Sequence, residues 1–310
     1  MNRPQAVFSA TVLGGMAAWQ GPANGRLGDS IGAIPAGLVS FGTGFVCLVL
    51  ALMASAGVKG VLAVPDKMRS VEPRLLTGGL IGPIYVTVAV LTVGDLGAGG
   101  LAGAAVAGTL VGAVAIDWAG IIGVRKHSPT VATWAGVALL LAATFVLTSD
   151  SAKPGSLWEG GVVFLAGVLV AFQPPINSNL AGRIGSWEAS VGQTIVALMF
   201  MLALGVAVLV FGSVGGSGAT IPWWALIGGP LGALYVIATL EAVPAIGAAG
   251  VGAGSIVGGL VLGIAADALG ILGLKVQPID TSRACAVAGL IAGMALVLAR
   301  SSKEASPERR

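Results

Sequence analysis

Apolar residues in this chain come in long unbroken runs, with polar residues gathered between them. Runs of about 20 residues occupy 6–25, 32–56, 75–93, 97–118, 131–148, 158–176, 187–211, 222–243, 247–266 and 284–299, and none alternates with a strand-like period. A bilayer core about 30 Å thick is crossed by about 20 helical residues. Lipid offers no partner to an exposed backbone amide, so such runs predict ten membrane-spanning helices. Composition agrees: 56% of residues are hydrophobic and 9% charged, with a mean hydropathy of +0.96, where soluble domains are roughly a quarter charged. The expected fold is an all-α integral membrane protein.

Ten crossings put both termini on one side. On that side lie Arg3, Lys59, Lys67, Arg69, Arg74, Arg125, Lys126, Arg183, Arg300, Lys303, Arg309 and Arg310; on the other lie only Arg26, Lys153, Lys275 and Arg283. The positive-inside rule then predicts cytoplasmic termini and a multi-pass protein of the plasma (inner) membrane. The net charge of +3 is scattered through short loops with no interleaved aromatics, so topology accounts for it and nucleic acid is not an expected partner. Met1-Asn2-Arg3 leads straight into the first run, which argues against a cleaved signal.

The chain writes its polar motif twice. Trp19-Gln20-Gly21-Pro22-Ala23-Asn24-Gly25-Arg26-Leu27 is matched by Gln173-Pro174-Pro175-Ile176-Asn177-Ser178-Asn179-Leu180, with Gln20 and Gln173, Asn24 and Asn177, and Leu27 and Leu180 each 153 residues apart. Further on, Gly78-Gly79-Leu80-Ile81-Gly82-Pro83-Ile84-Tyr85-Val86 returns as Gly228-Gly229-Pro230-Leu231-Gly232-Ala233-Leu234-Tyr235-Val236, and Asp117 returns as Asp267, at an offset of 150. The expected organisation is a first five-helix repeat at 1–148, a linker at 149–157, a second repeat at 158–300 and a disordered tail at 301–310. An odd number of crossings per repeat inverts the second copy, as in secondary transporters.

These motifs resemble the YdcZ-like branch of the drug/metabolite transporter superfamily, in the form that fuses two five-helix units. The resemblance runs nearly the length of the chain, once per half. It implies a membrane transporter of a small metabolite or drug-like solute, and export is the expected direction. Members often carry a Gly-Gln step in the fourth span, where this chain reads Gly108-Thr109 and Gly258-Gly259.

Candidate site residues follow from depth and pairing. Gly21-Pro22 and Pro174-Pro175 invite breaks in the first and sixth spans, and the amides of Gln20, Asn24, Gln173 and Asn177 either bond the freed carbonyls or, with Trp19, line a solute path. The chain has two tyrosines, Tyr85 and Tyr235, at one repeat position near mid-membrane. Each either bonds a neighbouring helix or faces a central cavity. Glycines four apart in the fourth and ninth spans predict close helix packing. Glu241 is an acid within a span that has no counterpart in the other half, so it is either a proton-coupling group or a headgroup-reaching residue. Arg26 with Asp267, and Arg183 with Asp117, would form alternating salt-bridge gates; as the alternative, both arginines anchor to headgroups.

An enzyme needs a nucleophile with a base, or a metal-ligand cluster. One loop histidine, His127, and the separated Cys47 and Cys285 supply neither, so no catalytic residue, metal or cofactor is expected. The expected partners are the lipid bilayer and a small-molecule substrate. Fusion of both repeats in one chain makes a monomer sufficient. The competing reading is a membrane scaffold or partner subunit that transports nothing.

Overall fold

The computed structural model describes residues 3–122, 129–149, 156–211, 215–276 and 280–304. Among the described residues, eleven α-helices follow one another: α1 Arg3–Ala17, α2 Gln20–Ile31, α3 Ala33–Leu62, α4 Val64–Arg69, α5 Gly78–Ala119, α6 Val131–Ser149, α7 Ser156–Val170, α8 Gln173–Ile184, α9 Ser186–Phe211, α10 Gly228–Leu269 and α11 Thr281–Glu304. No strand occurs among the described residues. Four stretches are long and apolar enough to cross a membrane unaided, Ala33–Leu62, Pro73–Ala119, Leu157–Ile184 and Ser186–Val210. Shorter apolar helices accompany them at Val131–Ala143, Trp223–Val236, Val257–Leu269 and Thr281–Leu296. Large apolar side chains such as Phe8, Leu91, Phe145, Leu165 and Met199 face outward, which suits lipid and not water.

Each proline motif breaks its helix, two or three residues upstream of the prolines. Trp19 N–H bonds Met16 O and Phe172 N–H bonds Leu169 O, both i→i−3, where the chain turns. Proline is tolerated in the first turn of the helix that follows, because no N–H there needs an intrahelical acceptor. The first run therefore does not stop at residue 25. The polar segment to Ile31 stays helical because its small faces pack: a Cβ at Gly25 or Gly28 would run into Val93 or Val90 of α5. Ser30 Oγ also donates to Arg26 O at 3.1 Å.

The two halves share local geometry to the residue. α2 and α8 start and stop 153 positions apart, closing on Gly32 (φ 92°) and Gly185 (φ 97°). α5 and α10 start and stop 150 apart, ending at left-handed Gly120 and Gly270. Even the uncommon left-handed Ile122 and Leu272 match, both with φ 57°. α5 has 42 residues, about 63 Å if straight, twice a bilayer core. It bends at Gly97 (φ 71°, ψ 171°), a conformation costly for any residue with a Cβ. Tyr85 and Ala89 of one arm line one small cavity with Leu101 and Ala102 of the other, so the arms fold back on each other. In α10 the corresponding division, expected at 244–246, falls on residues whose side chains lie outside the described set.

Helix directions are readable from close contacts. Along α1, Ala10, Thr11 and Gly15 meet Gly254, Gly258 and Leu262 in the same order, so α1 runs parallel to the second arm of α10. Gly108 and Gly112 meet Phe164 and Val168, so the second arm of α5 runs parallel to α7. By the same test α6 and α11, and α3 and α9, are antiparallel. The glycine faces thus permit close approach, as their spacing predicts: a Cβ at Gly258 would collide with Thr11 O, and one at Gly108 with Phe164 O.

Of the expected boundaries, α6 ends at Ser149 and α7 begins at Ser156, with 150–155 outside the described residues. The expected tail begins as helix, since α11 continues to Glu304.

Candidate functional site

The repeated motifs meet across the repeats. Asn24 on α2 sits against Gly228, the residue that opens α10, and Asn177 on α8 sits against Gly78, which opens α5. Only glycine leaves room, because a Cβ at either position would strike the asparagine Oδ1. Both Oδ1 atoms are buried and receive no hydrogen bond. Asn24 as a whole is 2% exposed. Gln173 Nε2 donates to Gly78 O at 3.3 Å, so its amide serves the other repeat and not the carbonyls freed in its own helix. Gln20 packs on Gly232 and lines a cavity of about 40 Å³ with Asn24, Tyr85 and Ala98. That holds a few waters, not a metabolite.

Tyr85 and Tyr235 lie within electrostatic reach of each other. The Tyr235 hydroxyl also bonds Ser255, and Ser255 Oγ lies 3.3 Å from Ala10 O. Trp19 is committed to packing: its Nε1 donates to Leu262 O at 3.1 Å. Glu241 lies on α10, with its side chain outside the described residues.

Neither expected arginine–aspartate pair forms among the described ion pairs. Asp267 is 0% exposed, and its two carboxylate oxygens accept from Ala98 N–H at 2.7 Å and Gly99 N–H at 2.6 Å. These amides head the arm of α5 that follows the Gly97 bend, so an acid of one repeat caps a helix start of the other. The cation acting on Asp267 is Arg283, and not Arg26. Arg183 lies 3.8 Å from Glu72 Oε1, and Asp117 is exposed where its counterpart is buried.

The two ends of the molecule differ although the repeats match. Equivalent residues cluster at both ends, Leu180, Ala189 and Leu75 with Ile184 at the Arg183 end, and Leu27, Ala36 and Ala225 beside Trp224 at the Asp267 end. At the Asp267 end Ser217 N–H bonds Asp29 O at 2.9 Å and Gly218 N–H bonds Ser30 O at 3.1 Å. At the other end a cavity of about 550 Å³ opens between α8 and the 3-10 turn Pro73–Leu76, lined by Arg74, Leu75, Thr77, Ile176, Asn179 and Arg183. The repeat counterpart of Ile176 is Ala23, 0% exposed, whereas Leu75 stays buried at 8% like its counterpart Ala225. Beside the cavity Lys67 Nζ bonds Glu188 Oε1 at 2.6 Å and Ile184 O at 3.1 Å.

Several residues here were not among the sequence candidates. Gln193, 6% exposed, donates from Nε2 to Leu75 O at 2.9 Å and leaves Oε1 without a partner. Its signal was one amide inside the apolar run 187–211. Glu72, Arg74 and Asn179 carry no such signal, since polar residues at span ends are ordinary.

A lipid-facing helical body built from two matching units, with buried amides and phenols between them and a cavity at one end, defines a multi-pass membrane transport protein. The chain belongs to the YdcZ family, described as "Putative inner membrane exporter", which matches it at residues 5–146 and again at 160–296. No curated protein matches it. Among solved structures, one described only as "Crystal structure of protein" superimposes with a TM-score of 0.64 at 16% identity, over 96% of this chain and 99% of that one. At that identity the likeness concerns fold alone.

Proposed function

We propose that this chain exports a small metabolite or drug-like solute across the plasma membrane by alternating access between two inverted five-helix repeats, with ten spans and both termini in the cytoplasm. Each pair of helix directions agrees with that topology. α1 and the second arm of α10 are parallel, as first and ninth spans must be; α7 and the second arm of α5 are parallel, as sixth and fourth must be. On this reading the Asp267 end is external and closed, and the Arg183 end is cytoplasmic and open.

The carrying observation is that Ala23 is sealed at one end while its repeat counterpart Ile176 lines the open cavity at the other. Two units with nearly the same local structure can exchange these roles at little cost in free energy, and that exchange carries a solute from one side to the other. Gln20, Asn24, Gln173, Asn177, Tyr85 and Tyr235 would contact the solute as it passes, with the unpartnered Asn24 Oδ1 and Asn177 Oδ1 accepting its donors. Asp267 would hold the external end shut by capping the Ala98 and Gly99 amides, in place of the Arg26 pair.

The test is flux. Purified chain in liposomes, offered a panel of neutral, cationic and anionic solutes with and without a pH gradient, should move at least one of them faster than protein-free liposomes. Correctly folded protein that moves none would favour the scaffold reading.

A further inference from the structure

We infer that the cavity between α8 and the Pro73–Leu76 turn is a receiving site for an anionic solute with an apolar body. Its wall is divided by chemistry. Leu75, Ile122 and Ile176 supply an apolar side, while Arg74 and Arg183 bring two guanidinium groups to the same cavity beside Asn179. Asn179 Nδ2 donates to Ile122 O at 3.2 Å, which fixes that side chain across the cavity edge.

Among the described residues, the acid paired with these two arginines is Glu72, while nearby Glu188 is taken by Lys67. Glu72 is bonded to Arg74 and stands 3.8 Å from Arg183, a separation beyond a good hydrogen bond. One carboxylate facing two guanidiniums leaves a net positive mouth, and Arg183 keeps donors for an arriving oxyanion. Guanidinium matches carboxylate and phosphate with paired N–H donors, and the apolar wall beside it suits the apolar body of the solute.

The opposite end is not built this way. The repeat positions of Arg74, Asn179 and Arg183 hold Trp224, Arg26 and Ser30, and Asp29 lies within the same motif. When the external end opens in its turn, the solute would face one arginine with an acid nearby in place of two arginines sharing one acid. An anion is therefore held better on the cytoplasmic side than on the outer side, which suits loading from the cytoplasm when a gradient drives export. The direction rests on the transport reading; the anion preference of the cavity does not.

The same arginines would also suit a phospholipid headgroup, which offers the same oxyanion, and the experiment separates the two sources. Full-length protein in phosphatidylcholine nanodiscs is titrated with naphthalene-2-carboxylate, naphthalene-2-carboxamide and naphthalen-2-ylmethylammonium, which share one apolar body and differ in charge. The carboxylate should bind at least roughly tenfold tighter than the other two, the size of a charge-assisted bond discounted for its exposure. That preference should shrink as KCl is raised. Arg74→Gln and Arg183→Gln should each reduce it several-fold and the double variant abolish it, with Arg183→Lys partly restoring it and Lys59→Gln leaving it unchanged.

Both side chains are largely exposed, 79% and 58%, so these variants should fold, and an unchanged melting temperature checks it. Equal affinity for all three probes, or an undiminished carboxylate preference in the double variant, overturns the inference. So does an effect of the variants on retained phosphatidylglycerol alone, which would make the arginines headgroup anchors. Selective carboxylate binding without flux in liposomes would keep this site and remove the transport reading. Flux of neutral or cationic solutes without carboxylate selectivity would do the reverse.

Discussion

Asn24 and Asn177 each press an amide oxygen against the glycine that opens a long helix of the other repeat, and this contact explains why both motifs recur together. The recurrence was legible in the sequence; that the two motifs touch was not, because a contact between residues about 200 or 100 positions apart leaves no local pattern. The glycine faces were legible because helical period alone places residues four apart on one side. Two substitutions separate tight positions from open ones. Gly258→Ala, facing Thr11 O, should destabilise the protein by about 1–3 kcal/mol, whereas Gly161→Ala, with nothing within 4 Å, should leave the melting temperature in detergent unchanged within error. At the proposed solute path, Tyr85→Phe, Tyr235→Phe and Gln20→Ala should lower flux several-fold while shifting melting only slightly. If all three instead reduce the yield of folded protein in proportion to flux, these residues are packing elements.

Between elements, the unforeseen feature is the Asp267 cap. The sequence placed Asp267 at a span end and paired it by charge with Arg26. It could not reveal that α5 turns at Gly97 and presents two bare amides, because the demand for a cap arises only once the arms fold back. Removing the charge should be costly for the same reason: in Asp267→Asn one of the two amides loses its acceptor, at about 1–3 kcal/mol for a buried group left unsatisfied. A drop in melting temperature and faster amide exchange at residues 98–101 are the expected outcome. Exchange as slow as in the unaltered chain would mean that the cap is incidental. The polar ends of α2 and α8 were missed for a related reason. Hydropathy ends a span where charge and amides begin, yet Gly25 and Gly28 dock there on Val93 and Val90 and keep the chain helical to Ile31.

For the molecule as a whole, the doubling in sequence carried most of the fold: two units, their offsets of 153 and 150, and their broken helices all reappear in three dimensions. The asymmetry between the ends did not, since the repeats match in pattern and the residues that differ, such as Arg74 against Trp224, do not say which end is closed. Orientation has its own check: cysteines replacing Lys67 and Arg183 should label from the cytoplasm and one replacing Ser217 from outside, and reversed labelling would overturn the orientation.

The central claim, exchange of roles between equivalent positions, is tested most directly by labelling Ala23→Cys and Ile176→Cys in separate proteins with a membrane-impermeant maleimide. Ala23 is sealed and Ile176 lines the open cavity, and they are one repeat offset apart. As a transported solute is raised from zero to saturation, or its gradient is reversed, the labelling rate at one position should rise from its side of the membrane while the other falls. Rates that stay fixed, or that rise and fall together, would contradict alternating access in this chain.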